Sequence, residues 1–378
     1  MKAVVVMDSL KGSLSSLRAG EAVRRGILRA WEDAEVQVRP LADGGEGTVE
    51  ALTLGLGGEM QTVRVTGPLG EKLDARYGIL ADGNTAVLEM SAAAGLPLVT
   101  EEKRNPLHTT TRGVGEMIRD GIERGCRRFL VGIGGSATND GGAGMLQALG
   151  YELLNAAGAQ IPFGAKGLGE LVRISQDKAL PALRDCSFRI ACDVTNPLCG
   201  PRGASAVYGP QKGADPAMIP QMDSWLASYA QRMREIWPGA DPEAPGAGAA
   251  GGLGFAFLCL PHASLESGVK IVLEETGLET LVEQADIVVT GEGRLDGQTV
   301  MGKAPIGVAA LAKKYGKPVL AFVGSVTREA AACNGQGIDA FFPILRTPMS
   351  LREAMEPAAA AENLADTAEQ VFRLLRIR

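Results

Sequence analysis

Residues 1–13 read MKAVVVMDSLKGS, an apolar run that ends in a polar loop. The apolar part, Ala3–Met7, is short and rich in valine, which is typical of a buried strand in a parallel sheet. Apolar residues at helical spacing follow the loop, and Glu35–Arg39 predicts a second strand before the loop LADGGEGT at 41–48. Because strands alternate with loops and helices, we expect a doubly wound α/β sheet.

The same alternation returns near the other end of the chain. Ile287–Thr290 predicts a strand, the loop GEGRLDGQTVMGK follows at 291–303, and a helix begins near Pro305, because proline suits the first turn of a helix. Further strands are predicted at Pro318–Val323 and Ala340–Ile344. Both ends of the chain are therefore expected to build one sheet.

The middle of the chain alternates apolar and polar residues instead. This pattern occupies Gln61–Thr66 and Lys72–Leu80, and a turn at Asp82–Asn84 leads into Ala86–Met90. Alternation of this kind indicates antiparallel strands joined by hairpins.

These patterns predict a two-domain α/β protein. Residues 1–65 and 270–378 are expected to form a discontinuous Rossmann-like domain with a parallel sheet, and residues 66–269 an inserted mixed α/β domain. A ligand site is expected in the cleft between the two domains.

The composition narrows the classes of partner and compartment. The 378 residues carry a formal net charge of −6, 4% aromatic residues and no basic patch, so nucleic acid is not expected as a partner. The apolar run before Asp8 is too short for a secretory signal, and no membrane span is expected because no run reaches about 18 apolar residues. Six cysteines without a CxxC pair fit a reduced, cytoplasmic compartment. A homo-oligomer is compatible with the sequence, which does not determine the oligomeric state.

Glycines concentrate in polar loops that directly follow apolar runs, where backbone must approach another group closely. In open α/β sheets, ligands bind beyond the carboxyl ends of the strands. Such loops are therefore candidates for the site. They are Asp8–Ser13, Asp43–Thr48, Gly132–Gly144, Asp193–Ala214 and Gly291–Lys303.

The loop Gly132–Gly144, GIGGSATNDGGAG, is the most informative of them. Its glycines and short polar residues precede a helical pattern, and backbone N–H groups gathered at the start of a helix bind phosphate or another anion. A tight turn in which glycine only relieves crowding is the structural alternative. We predict that phosphate or another anion binds here, at the candidate cofactor-binding residues Gly134, Gly135, Ser136, Thr138, Asn139 and Gly141.

The same loop offers a rival interpretation as a dinucleotide site. Gly132, Gly134 and Ala137 match G-x-G-x-x-G/A, and Glu152 stands about 20 residues further on, as in nicotinamide-dependent dehydrogenases. However, the helical pattern begins only at Ala143, whereas a Rossmann turn passes directly into its helix. A second rival is a two-lobed binding protein without chemistry.

The segment Gly297–Lys303 matches the P-loop pattern G-x-x-x-x-G-K, but Ala304 stands where the hydroxyl that holds Mg²⁺ is required. We therefore do not interpret it as a P-loop. His108 and His262 are far apart and in no ligand spacing, so neither zinc nor Ser-His-Asp chemistry is expected.

Carboxylates and cations recur in the five loops. One or two carboxylates together with phosphate oxygens suit Mg²⁺, and Asp140 and Glu292 are the predicted metal ligands. A transferred phosphoryl group also needs positive charge nearby, which Lys11, Lys212, Arg294 and Lys303 can supply.

Seven segments together point to a family. They are DSLKGS (8–13), PLADGGEGT (40–48), GIGGSATNDGGAGM (132–145), CDVTNPLCGPRGA (192–204), GPQKGA (209–214), GAAGGLGFAF (248–257) and TGEGRLDGQTVMGKAP (290–305). In this order they closely resemble the type-1 glycerate kinases. The resemblance implies ATP-dependent phosphorylation of glycerate to 2-phosphoglycerate, a Rossmann-like domain from both chain ends, and an inserted α/β domain.

The resulting hypothesis assigns roles to individual residues. Asp193 is the candidate base for the substrate hydroxyl, and Lys11 and Arg294 are the other catalytic candidates, for charge on the phosphoryl group and the glycerate carboxylate. Further candidates bind glycerate: Asp8, Ser9, Asp43 and Lys212.

Overall fold

The computed structural model describes residues 1–297, 299 and 303–377. Part of the loop at 291–303 therefore lies outside the described residues. The strands are β1 (Lys2–Met7), β2 (Glu35–Pro40), β3 (Glu59–Thr66), β4 (Lys72–Ile79), β5 (Thr85–Glu89), β6 (Arg128–Gly132), β7 (Glu152–Leu154), β8 (Arg173–Ser175), β9 (Ser187–Ala191), β10 (Ala263–Glu266), β11 (Ile287–Gly291), β12 (Arg294–Leu295), β13 (Val319–Val323), β14 (Ser325–Val326) and β15 (Ala340–Pro343). The helices are α1 (Ser16–Ala30), α2 (Thr48–Gly55), α3 (Ser91–Ala94), α4 (Arg112–Glu123), α5 (Ala143–Ala148), α6 (Ala165–Leu168), α7 (Ala204–Tyr208), α8 (Met218–Ile236), α9 (Ala249–Leu258), α10 (Gly268–Glu275), α11 (Leu278–Gln284), α12 (Ala304–Lys314), α13 (Leu351–Ala354) and α14 (Pro357–Leu375).

The chain divides into two compact units. Unit 1 consists of Met1–Asp43 and Val269–Arg378, and unit 2 is Gly44–Gly268. The second boundary lies within one residue of the predicted one, but the first lies at 43/44 instead of 65/66. The reason is β3, which pairs along its whole length with β4 and so extends the unit 2 sheet.

Unit 1 contains a five-stranded sheet in the order β15-β13-β11-β1-β2, and every neighbouring pair is parallel. The parallel sheet predicted from both chain ends is thus present. If the five strands of this sheet are counted in chain order, their order in space from the β2 edge is 2-1-3-4-5. The direction in which strands are added therefore reverses between β1 and β11. In open α/β sheets, the ligand crevice lies at such a reversal, beyond the carboxyl ends of the strands.

One face of this sheet packs against α1 and α14. Alternate side chains of β1, such as Val5, share a buried core with Ile27 of α1 and Phe372 of α14, as the period of two in a strand requires. Gly26 lies where the two helices meet, and a Cβ atom there would be 2.1 Å from the carbonyl oxygen of Ala365. The helices approach this closely because the residue has no side chain.

Unit 2 contains a six-stranded sheet in the order β10-β9-β6-β5-β4-β3. The pairs β3–β4 and β4–β5 are antiparallel, which confirms the predicted hairpins, and β5, β6, β9 and β10 are parallel neighbours. Phe129 stacks on Phe188 with ring centroids 5.1 Å apart, in a core that also contains Phe257. Parallel β6 and β9 thus end at the same edge of this sheet.

None of the helices in the described part of the chain combines the length and the apolar character that a membrane span requires.

The contact between α1 and α14 generates a prediction for stability. Gly26→Ala is expected to lower the free energy of unfolding of unit 1 by about 1–3 kcal/mol, because the added methyl group forces the helices apart. Thermal unfolding followed by circular dichroism would measure the change. Gly335→Ala is the matched control, since a Cβ atom there meets no heavy atom within 4 Å. Equal stability of the two variants would contradict the close helix contact.

Candidate active site

The carboxyl ends of the unit 1 strands surround a cavity of about 480 Å³. Its walls come from residues that follow β1, β2, β11, β13 and β15, together with apolar side chains from α13 and its neighbours. The strand reversal between β1 and β11 lies at this edge. The charged and hydroxyl-bearing residues of the lining are Asp8, Ser9, Lys11, Ser13, Asp43, Glu292, Arg294, Asp296, Lys303 and Ser325.

Two carboxyl groups flank the strand reversal, and both have raised pKa values. Asp8 follows β1, and burial raises its pKa to about 7, with further contributions from the charges of Asp43 and Glu292. The backbone N–H of Ser9 donates a hydrogen bond to Oδ1 of Asp8 at 2.6 Å. This bond and the charge of Lys11 lower the pKa of Asp8, but by less than burial raises it. Burial also raises the pKa of Glu292, which follows β11. Asp8 can therefore exchange a proton near neutral pH.

Glu292 is the predicted metal ligand at this edge of the sheet. Oε1 of Glu292 accepts a hydrogen bond from Oγ1 of Thr299 at 2.7 Å, which orients the carboxylate. Across the described ranges, no group of three or more histidine, cysteine, aspartate or glutamate side chains is arranged to hold a metal ion. Mg²⁺ commonly takes only one or two carboxylates and completes its shell with water and phosphate oxygens. Glu292 is therefore the predicted metal ligand that could hold a magnesium ion at this edge.

Positive charge lies at the rim of the same cavity. Lys11 is exposed, and the Arg294 side chain is 65% exposed with its Nε 3.7 Å from Oδ2 of Asp296. Both can meet an anion from solvent. The structure thus brings six of the predicted site residues into one cavity: Asp8, Ser9, Lys11, Asp43, Glu292 and Arg294.

A second set of predicted residues lies at the carboxyl edge of the unit 2 sheet. Parallel pairing puts Gly132, at the end of β6, opposite Ala191, at the end of β9. Gly134, Gly135 and Asp193 follow these strand ends and are exposed. The beginning of the glycine-rich loop and the candidate base therefore share one edge of one sheet.

The remainder of the glycine-rich loop faces protein. Thr138 and Asn139 are completely buried, and the backbone N–H of Gly141 donates to the carbonyl oxygen of Gly251 at 2.9 Å. The predicted cofactor contacts of these three residues are therefore not supported, because a ligand does not reach them from solvent. Gly134 and Gly135 are exposed and remain as the part of the loop at which a phosphate could be held, whereas Ser136, the next predicted contact, is only 7% exposed.

Asp140 organises this loop, which corrects its predicted role as a metal ligand. The side chain is completely buried, and its Oδ2 accepts hydrogen bonds from the backbone N–H and Oγ1 of Thr111 at 2.8 and 2.9 Å and from the N–H of Gly144 at 3.3 Å. Its Oδ1 accepts from the N–H of Gly142 at 3.1 Å. Both carboxylate oxygens are thus engaged at the start of α5.

The structure likewise does not support the predicted role of Lys212 in substrate binding. It is 1% exposed, and its Nζ donates to the carbonyl oxygen of Thr138 at 2.7 Å. Burial lowers the pKa of Lys212 to about 7, while Asp140 acts in the opposite direction. Sequence alone indicates a cation in a loop, but not that the cation is turned into the protein.

Glu89 is a residue that sequence reasoning missed. It ends β5 beside β6, and its Oε1 accepts a hydrogen bond from the N–H of Val49 at 3.0 Å, at the start of α2. Burial raises the pKa of Glu89, and hydrogen bonds from backbone N–H groups lower it. The carboxylate thereby fixes the end of the loop 43–48. Its position within the apolar segment 86–90 gave no motif from which to find it.

The dehydrogenase interpretation fails on the position of Glu152. This residue begins β7, which pairs only with β8 in a small separate sheet among the described residues. Oε1 of Glu152 lies 2.6 Å from Nζ of Lys178. A ribose-binding acid should end the strand next to the glycine-rich turn, and Glu152 does not.

The raised pKa of Asp8 predicts a pH dependence of stability. Between its ordinary value of 3.8 and about 7, folded Asp8 retains a proton that the unfolded chain has lost. Stability therefore falls as pH rises through this range, and the full loss is present above pH 7. Asp8→Asn should stabilise the protein by about 1–4 kcal/mol at pH 8, and by almost nothing below pH 4. Melting temperatures of both proteins from pH 4 to 8 measure this.

Asp33→Asn is the control for the loss of one charge, since Asp33 is exposed in the same unit. If Asp8→Asn and the parent protein melt with the same pH dependence, the carboxyl group of Asp8 is not held as described.

Comparison with known proteins identifies the family of the chain. The profile of the glycerate kinase family matches residues 3–376. The chain is 47% identical to glycerate 2-kinase of Escherichia coli K12, over 97% of this chain and 98% of that protein, and 46% identical to glycerate kinase of Bacillus subtilis 168, over 100% and 98%.

A solved structure resembles the fold over the same length. The crystal structure of a protein assigned as glycerate kinase 2 from Salmonella typhimurium LT2 matches with a TM-score of 0.93 and 45% identity, covering 100% of this chain and 98% of that chain. A profile match over almost the whole chain and relatives at this identity leave one conclusion: the chain belongs to the glycerate kinase family and is a glycerate kinase.

Proposed function

We propose that this glycerate kinase transfers the γ-phosphoryl group of ATP to the 2-hydroxyl of glycerate, giving 2-phosphoglycerate and ADP. The observation that carries the proposal is the shared edge of β6 and β9. There the exposed Gly134 and Gly135, which begin the turn Gly134–Ser136, and the exposed carboxylate of Asp193 follow adjacent parallel strands. The name of the Escherichia coli relative, glycerate 2-kinase, supports the choice of hydroxyl.

The glycine turn would hold the phosphates of ATP. Gly135 has a φ of 71°, in the left-handed region, and Gly134 is exposed with nothing within 4 Å of the position of a Cβ atom. Backbone with alternating handedness turns successive N–H groups toward one point, where they bind an anion. The absence of side chains allows phosphate oxygens to approach the peptide groups directly.

Asp193 would orient the substrate hydroxyl and accept its proton as the bond to phosphorus forms. The backbone N–H of Gly268 donates to Oδ1 of Asp193 at 3.3 Å, which restrains the carboxylate at the strand end. Phosphoryl transfer needs little covalent help from the protein, so positioning and charge neutralisation supply most of the acceleration.

The unit 1 cavity would bind glycerate. Lys11 and Arg294 suit its carboxylate, and Asp8, Ser9 and Asp43 suit its hydroxyl groups, since all five line that cavity. Glu292 would hold Mg²⁺, which supplies charge neutralisation at the phosphates when bound. The expected cleft between the domains stays a prediction.

Asp193→Asn should lower kcat by about 10²–10⁴-fold, because the amide cannot accept the proton. ADP formation from ATP and D-glycerate in a coupled assay measures the rate, and phosphorus NMR of the product identifies the hydroxyl. The melting temperature is expected to stay near that of the parent, since Asp193 is exposed.

A near-normal rate in the variant would reject the base assignment. Absence of ADP formation by the parent protein, or NADH formation from glycerate, would reject the proposed function itself.

Gly134→Ala tests the phosphate site separately. No heavy atom lies within 4 Å of the position of the added methyl group, so folding should be unaffected, but the group would stand where phosphate approaches the backbone. We expect the KM for ATP to rise roughly 10-fold while the KM for glycerate stays constant. Gly239→Ala is the matched control in the same unit, because its Cβ atom also meets nothing within 4 Å. Unchanged ATP kinetics in Gly134→Ala would place the phosphates elsewhere.

A further inference from the structure

Lys212 has a buried amine whose hydrogen bond fixes the backbone of the glycine-rich loop. Its Nζ donates to the carbonyl oxygen of Thr138 at 2.7 Å, which joins residues 74 positions apart in the chain. The lysine ends a tight turn, since its own N–H donates to the carbonyl oxygen of Gly209 at 3.0 Å. The next residue, Gly213, has a φ of 92°, and a Cβ atom there would lie 2.1 Å from the carbonyl oxygen of Arg104. The turn that carries Lys212 is therefore rigidly seated.

The Thr138 carbonyl is enclosed from a second direction. A Cβ atom on Gly251 would lie 2.0 Å from this oxygen, so only glycine fits against it. Gly251 has a φ of 69°, and its own carbonyl oxygen accepts from the N–H of Gly141 at 2.9 Å. Lys212 and Gly251, from two other regions of the sequence, thus both contact the backbone between Thr138 and Gly141.

The turn Gly134–Ser136 and the residue that follows it are also held by hydrogen bonds of their own. The N–H of Leu96 donates to the carbonyl oxygen of Gly135 at 2.8 Å, and the N–H of Ala137 donates to that of Ala94 at 2.9 Å. Oγ1 of Thr109 donates to the carbonyl oxygen of Ala137 at 2.8 Å. These bonds fix Gly135 and Ala137, and the Thr138 carbonyl that Lys212 contacts belongs to the next residue along the chain.

The burial of the Lys212 amine is not explained by packing. Removing an ammonium group from water carries a large free-energy cost unless the group is paired and hydrogen-bonded. At Lys212 the carbonyl oxygen of Thr138 and the nearby charge of Asp140 offset that cost. A methionine would fill a similar volume without it, so packing alone does not account for a lysine here.

We propose that Lys212 is a positioning residue, which acts through the Thr138 carbonyl to hold the Gly134–Ser136 turn in the conformation that binds the phosphates of ATP. This inference rests on the proposed function, because it takes ATP as the ligand of that turn. It replaces the direct substrate contact that sequence alone predicts for Lys212.

Lys212→Met in the full chain tests the proposal, with the KM for ATP, the KM for glycerate and kcat measured separately. We expect the KM for ATP to rise about 10-fold, as expected for the loss of a buried hydrogen bond that leaves the Thr138 carbonyl without its lysine donor, while the KM for glycerate changes less than about twofold. Lys212→Gln keeps an N–H donor on a shorter side chain and should give an intermediate KM for ATP. If Lys212→Met does not fold, the Gln variant carries the same test.

Lys166→Met is the matched control, because Lys166 is an exposed lysine of the same unit, and it should leave all three constants unchanged. A lower melting temperature of the Lys212 variants with unaltered ATP kinetics would overturn the proposal and leave a structural role alone. An increase confined to the KM for glycerate would overturn it in favour of a substrate contact. The parent protein, assayed in parallel with ATP, tests the proposed function independently of both results.

Discussion

Parallel pairing of β1 with β11 holds the two ends of the chain in one sheet, from Ala3 opposite Ile287 to Met7 opposite Gly291. Because parallel strands end at the same edge, this register brings Asp8 and Glu292 to either side of the strand reversal. Gly291, the last residue of β11, also lies very close to the neighbouring strand β13. A Cβ atom on Gly291 would be 1.8 Å from the carbonyl oxygen of Phe322. The cavity of unit 1 depends on this packing.

Sequence patterns predicted most of the fold because they report local burial. Valine-rich runs at 3–7 and 287–290 correspond to β1 and β11, and the alternating segments 61–66 and 72–80 correspond to the antiparallel pair β3–β4. The domain boundary was harder to predict. The segment 44–65 continues the helix–strand alternation of the first unit, and only the pairing of β3 with β4 shows that it belongs to the second.

The loops that form the candidate site could be predicted from the sequence, but the environment of individual residues in those loops could not. The loops after β1, β2 and β11 contain the carboxylates and cations that line the unit 1 cavity, as expected from their position at strand ends. In the loop Gly132–Gly144, however, glycine and polar residues serve two purposes. Some face solvent, whereas Asp140 and its neighbours satisfy backbone groups inside the protein. Composition does not separate these purposes, because both require small or hydrogen-bonding residues.

The discontinuity of unit 1 also matters while the protein is being made. Oγ1 of Thr290 on β11 donates to the carbonyl oxygen of Val6 on β1 across 284 positions of the chain. At a synthesis rate of about 5–20 residues per second, the first strand waits on the order of 15–60 s for this neighbour. During that time a valine-rich segment has an unpaired edge, which is the kind of surface that invites association between nascent chains. The segment 44–268 is translated completely within the same interval, so unit 2 has the opportunity to fold first.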